Sequence, residues 1–240
     1  MKYFLFLLFV VLLFINNDIL CLWEQDEAAY AGFAWNMLDS GNFLIPDFEW
    51  SWPHRKSPLH FWLIAFCYKL FGHSEFTTRI PSALAIIGTA LQFDFFGKRL
   101  FSKKIGKWSM IVFMCTLILP LYGKISMTDA TLLFFYTLTF FSVVGYLQTN
   151  RLKWLLTLFI GVSLGALTKG PPIFIVSMGA VGLYLLFHQK RRHSIRLLIT
   201  IVLAFVPLFI WGYLAWQNDD GKFIKWLLSK KFQNLIFNLI

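Results

Sequence analysis

The sequence predicts an all-α polytopic membrane protein, a bundle of about seven transmembrane helices with an external loop bearing interfacial helices. Three observations predict it. The 240 residues are 58% hydrophobic and 14% charged, which is more apolar surface than a soluble domain of that length can bury. Eight apolar runs recur along the chain, at residues 3–22, 58–71, 80–96, 108–122, 130–147, 154–167, 171–187 and 197–216. The connectors between the later runs alternate between strongly basic and nearly uncharged.

That alternation sets the topology. The basic connectors "GKRLFSKKIGK", "QTNRLK" and "HQKRRHSIR" hold eleven Lys or Arg, and the intervening "GKISMTD" and "TKGPP" hold two. The positive-inside rule places the first group in the cytoplasm and the second outside. The net charge of +10 is therefore mostly topological, and no nucleic-acid partner is expected.

The first run leaves the cytoplasm from Lys2. "NNDILCLW" lacks small residues at signal-cleavage positions, and Leu20 before Cys21 does not suit a lipoprotein signal, so the run reads as a retained span. Had the run at 58–71 also crossed, every basic connector would lie outside. As a helix it would be only about 21 Å long, and it carries His60 and Lys69. It reads as interfacial, leaving seven spans and an external loop over residues 23–78.

Seven carboxylates lie in that loop: Glu24, Asp26, Glu27, Asp39, Asp47, Glu49 and Glu75. The spacing from Asp26 to Leu38 predicts a helix with Tyr30, Phe33, Ala34, Met37 and Leu38 on one apolar face. Asp26 belongs to that face, while Glu27 is expected to point outward beside the helix dipole. Gly41 suits a left-handed C-cap. Two roles fit Asp26, capping the helix or taking part in chemistry. Arg55 and Lys56 precede the interfacial run among Trp50, Trp52 and Trp62. Such a pair fits the phosphate of a lipid-linked ligand, or plain headgroup contact.

Outside the loop, Asp129 opens the run at 130–147 and Lys169 follows the run at 154–167, both on the external side. His54 and His60 have no paired ligands at metal spacing, and Cys21, Cys67 and Cys115 form neither a zinc pattern nor a disulfide framework. No ionisable residue sits at the middle of a span, which disfavours a transporter. Gly161 and Gly165 read as a helix-packing pair, and no glycine-rich nucleotide loop is present.

Five segments, "QDEAAYAGFAWNMLDSGNFLIP", "RKSPLHFWLIAFCYKLFG", "EFTTRIPSAL", "MTDATLLFF" and "GALTKGPP", occur in register. In this they resemble bacterial membrane glycosyltransferases of the aminoarabinose-transferase and protein-mannosyltransferase type. The resemblance implies a GT-C fold, a polyprenyl-phosphate-linked sugar as donor, and transfer at the external membrane face to a lipid, glycan or protein acceptor. It implies a catalytic role for Asp26, as base or orienting group for the acceptor hydroxyl. It also implies contact between Lys56 and the donor phosphate, and a second acidic residue at Asp129. Glu27 joins these as a candidate catalytic carboxylate, and Tyr30, Arg55 and Lys169 join Lys56 as candidate substrate-binding residues.

Arg55 stands where the aminoarabinose transferases carry a glutamate that assists a metal, so no clear ligand set supports a divalent cofactor. Residues 1–216 are expected to form the catalytic membrane region and residues 217–240 an amphipathic external tail. The family continues through further spans, so the chain reads as an N-terminal portion. A catalytically inactive relative acting as a membrane scaffold is the competing reading.

Overall fold

A computed structural model describes residues 2–19, 21–22, 26–48, 56–116, 118–170, 172–187 and 191–222. Among them are eleven helices and no strand: α1 Lys2–Phe14, α2 Asp26–Ser40, α3 Leu59–Phe71, α4 Glu75–Leu100, α5 Lys103–Cys115, α6 Ile118–Lys124, α7 Thr128–Thr149, α8 Leu152–Lys169, α9 Pro172–Phe187, α10 Arg191–Leu203 and α11 Val206–Asn218. Four stretches among the described residues are long and apolar enough to cross a membrane: α4, α7, α8 and Ile195–Asn218. This is a multi-pass membrane protein.

Local chemistry sets where helices begin and end. Ser74 caps α4 by accepting the Thr77 N–H at 3.1 Å, and Ser102 caps α5 by accepting that of Ile105 at 3.1 Å. Asn150, at φ 52°, closes α7 with its N–H on the Tyr146 carbonyl. Gly41, at φ 70°, follows α2 as the spacing predicts.

Three apolar runs are less continuous than expected. The first ends as a helix at Phe14, because "NND" turns the chain, with Asn16 at φ 53°. The run at 108–122 divides into α5 and α6. Pro120 has no N–H to donate into a continuous helix, so it falls in the first turn of a new one. The run at 197–216 is interrupted between α10 and α11, with Pro207 in the first turn of α11.

Packing puts α7 and α8 at the centre. Leu158, Val162 and Tyr146 are fully buried against Leu197 and Ile201 of α10. The Gly161 and Gly165 pair does pack: an added methyl would strike Thr139 of α7 at Gly161, and Ile173 of α9 at Gly165. A second core joins α1, α4 and α5 through Leu13, Ile86 and Met110.

Polar ties fix which helix ends share a level. Lys2 Nζ reaches Asp94 Oδ2 at 2.6 Å, so the start of α1 lies beside the end of α4. Arg79, at the start of α4, donates to the Asn17 carbonyl beyond the end of α1. The chain between them therefore returns to the end of the bundle from which it left. Both ends of α3 also meet that end: His60 contacts Ser126 and Thr131, and Tyr68 Oη lies 2.6 Å from Thr78 Oγ1. Helix α3 lies across one end of the bundle, which favours the interfacial reading.

Candidate active site

The pieces of the loop converge at that end. Helix α2 buries Tyr30, Phe33, Ala34 and Met37 against Phe61, Ile64 and Ala65 of α3. Successive helical residues are rotated by about 100°, so Asp26 and Glu27 face different surroundings.

Asp26 is the more exposed of the two. Its Oδ1 lies 3.3 Å from Lys56 Nζ, and the two side chains stay 39% and 28% exposed. Lys56 also donates to the Tyr30 hydroxyl and sits 4.6 Å from the centre of the Tyr30 ring. On the other side, Lys169 Nζ at the end of α8 reaches Asp129 Oδ1 at the start of α7 at 2.6 Å. Tyr30 lies between the pairs. Burial raises the pKa of its phenol, and the charges of Asp26 and Asp129 raise it further, so Tyr30 remains a neutral hydroxyl. Gly170 follows Lys169 at φ 76°, and an added methyl there would lie 3.7 Å from Ser57 Oγ. The α8–α9 turn thus borders the Lys56 segment.

Glu27 corrects the expected outward orientation. It is 1% exposed and held from two sides. Arg79 Nε and Nη2 donate to its two carboxylate oxygens at 2.8 and 3.0 Å, and the Ser126 N–H donates to Oε1 at 2.7 Å. Arg79 also donates to the Asn17 and Cys21 carbonyls at 2.7 and 3.1 Å. A buried carboxylate requires this degree of pairing. Glu27 and Arg79 therefore join the exit of α1 to the starts of α2 and α4 and to the turn before α7.

His60 lies behind the pairs and is fully buried. Its Nδ1 is 2.9 Å from Thr131 Oγ1 and its Nε2 is 3.3 Å from Ser126 Oγ. Burial lowers its pKa, and nearby Lys56 lowers it further, so the imidazole stays neutral between two hydroxyls.

Five candidates are thus brought together: Asp26, Tyr30, Lys56, Asp129 and Lys169. Glu27 turns away into the clasp with Arg79, and Arg55 lies outside the described residues, as does the tail from 223 onward. Arg79 and Ser126 are the contributors that sequence reasoning missed. A signal for Arg79 existed: an arginine on the external side, in "TTRIP", serves no topological need. Among the described residues no three metal-ligating side chains cluster, and Asp26 and Asp129 each face a lysine ammonium.

Helices that cross a bilayer, capped at one end by short helices that gather paired carboxylates and lysines, define a membrane protein of the GT-C fold. The chain belongs to the dolichyl-phosphate-mannose-protein mannosyltransferase family, whose pattern matches residues 55–216. It is 32% identical over 197 residues to a protein of Aquifex aeolicus (strain VF5), covering 80% of this chain and 39% of that one. It is 27% identical over 250 residues to the undecaprenyl phosphate-alpha-4-amino-4-deoxy-L-arabinose arabinosyl transferase 1 of Proteus mirabilis (strain HI4320), covering 93% and 44%. The crystal structure of ArnT from Cupriavidus metallidurans bound to undecaprenyl phosphate superimposes with a TM-score of 0.79 at 19% identity, covering 92% of this chain and 42% of that one. The chain therefore spans less than half the length of these relatives.

Proposed function

We propose that residues 1–216 form the donor-binding and catalytic region of a membrane glycosyltransferase. The enzyme takes a sugar from a polyprenyl-phosphate donor and passes it to a lipid acceptor of the lipid A type. The site would open at the periplasmic face of a bacterial inner membrane, with residues 23–78 as its external loop and 217–240 as an amphipathic tail. The observation that carries this reading is the pair of half-exposed lysine–aspartate contacts around the neutral Tyr30 hydroxyl. The names of the bacterial relatives support the donor class.

The geometry suggests a division of labour. An incoming phosphate would compete with Asp26 for the Lys56 ammonium, with Tyr30 placed to donate a second hydrogen bond. Freed from Lys56, the Asp26 carboxylate would accept the proton of the acceptor hydroxyl as that oxygen bonds to the anomeric carbon. The bond from that carbon to the phosphate oxygen breaks in the same displacement, inverting the centre. Lys56 then stabilises the charge on the departing polyprenyl phosphate. Asp129 and Lys169 would line the opposite wall.

Undecaprenyl phosphate binding in nanodiscs tests the donor half. Lys56→Ala removes a charge-assisted contact of about 1.5–3 kcal/mol, so affinity should fall about ten- to a hundredfold with folding intact. Unchanged affinity would reject the assignment. The sidedness has its own test, single cysteines at Lys103, Arg192 or Asp47 in a Cys-free background. A membrane-impermeant thiol reagent added outside should label only the Asp47 site. Labelling at Lys103 would instead make α3 a crossing helix.

A further inference from the structure

The end of the bundle away from Asp26 carries cations that the transfer reaction does not use. Arg99 ends α4, and Arg151 and Lys153 begin α8. An aromatic ladder joins them. The Arg99 guanidinium lies 6.0 Å from the centre of the Phe95 ring, and Lys153 Nζ lies 5.4 Å from that of Trp154. Phe95 packs on Phe96 at 5.1 Å, and Phe96 packs on Trp154 at 5.6 Å. Arg151 and Lys153 stand two residues apart at the start of α8. No carboxylate occurs in the sequence between Asp94 and Asp129, or between Asp129 and Asp219. Asp94 meets Lys2 and Lys98 through Oδ2, at 2.6 and 2.5 Å, while its Oδ1 has no hydrogen-bond partner among the described residues.

A groove runs up to this cluster along one face of α4. It has a volume of about 470 Å³, within the range of ligand sites, and Leu91, Gln92, Phe95 and Phe96 line it together with the charged pair Asp94 and Lys98. Its wall holds an unmet polar group. Gln92 is 7% exposed and donates Nε2–H to the Phe134 carbonyl, while its Oε1 has no hydrogen-bond partner among the described residues. A positive excess is expected of a cytoplasmic end. A positive excess set on an aromatic ladder, at the mouth of an apolar groove with a spare acceptor, is more than topology requires.

We infer that Arg99, Arg151 and Lys153 hold the phosphate of an anionic phospholipid whose acyl chain lies in the α4 groove. Charge complementarity selects the anionic headgroup, and the apolar walls select a lipid over a soluble phosphate. This site is separate from the donor site and its occupancy does not depend on the transfer reaction.

Native mass spectrometry of the chain in detergent, titrated with dioleoyl phosphatidylglycerol or dioleoyl phosphatidylcholine, tests it. Phosphatidylglycerol should be retained in preference, and millimolar inorganic phosphate should not displace it. Each cation contributes about fivefold at a lipid surface, so Arg99→Gln with Lys153→Gln should lower retention about thirtyfold. Lys103→Gln with Lys104→Gln, which removes equal charge from the neighbouring connector, should change it little. Leu91→Trp, which fills the groove at an exposed position and leaves the charge alone, should also lower retention. Equal retention of the two lipids, wild-type retention by the Arg99/Lys153 variant, or an equal loss in the Lys103/Lys104 variant would overturn the site. Displacement by inorganic phosphate, or full retention in Leu91→Trp, would overturn the role of the groove.

Discussion

Asp26 and Glu27 are neighbours in sequence with opposite fates. Glu27 is sealed from solvent, meets Arg79 through both oxygens and takes a backbone N–H as well. Asp26 has one ammonium at 3.3 Å and remains 39% exposed. The first arrangement leaves no capacity for a ligand and joins four parts of the chain. The second is a loose contact, since an exposed ion pair contributes about 0–1 kcal/mol. Burial therefore separates a carboxylate sealed into the fold from one left open to solvent.

The comparison breaks first at the clasp. Glu27→Gln leaves the Arg79 guanidinium buried without its counter-charge, which should cost about 3–5 kcal/mol of stability. Thermal unfolding in detergent should show this as a large drop in Tm, with transfer activity lost along with the fold. A Glu27→Gln protein of wild-type Tm that nevertheless fails to transfer sugar would move Glu27 into the chemistry.

A smaller effect is expected at the far wall. Lys169→Ala frees Asp129 at a half-exposed position, so Tm should change by no more than an exposed ion pair allows, about 0–1 kcal/mol. Undecaprenyl phosphate affinity should fall less than in Lys56→Ala. A larger loss at Lys169 would place the donor phosphate against α8 instead.

A separate effect is pH-dependent. His60 has a folded pKa lowered by burial, so the unfolded chain binds the proton more readily. Its contribution to stability is present above the unfolded value, about 6.5, and is lost as pH falls below it. Tm measured from pH 7.5 down to 5.5 should decline, and His60→Gln should flatten the decline. An unaltered slope in that variant would assign the acid sensitivity to other groups.

Much of this architecture was legible in local pattern. The spacing of Tyr30, Phe33 and Met37 marks the buried face of α2, and Gly41 marks its end, because both depend on neighbours within a turn or two. The breaks at Pro120 and Pro207 were also written in the sequence, but apolar composition alone passes over them. What could not be read was the direction of Glu27. Its partner is 52 residues away, and helical phase cannot show which side chain waits across a packed interface. The pairing of Asp129 with Lys169, 40 residues apart, was hidden for the same reason. Both residues were identifiable as external charges, yet only the fold sets them face to face.

The most direct measurement is the transfer rate and donor affinity of Asp26→Asn, taken together in a reconstituted bilayer with undecaprenyl-phosphate aminoarabinose as donor and lipid A as acceptor. Asparagine keeps the shape and caps a helix about as well, so Tm should hold. Removing the carboxylate frees Lys56, so donor affinity should stay the same or tighten. Loss of the base should lower transfer about 10²–10⁴-fold. Wild-type transfer by Asp26→Asn at equal expression would contradict this, and would leave the carboxylate as no more than a counter-charge for Lys56.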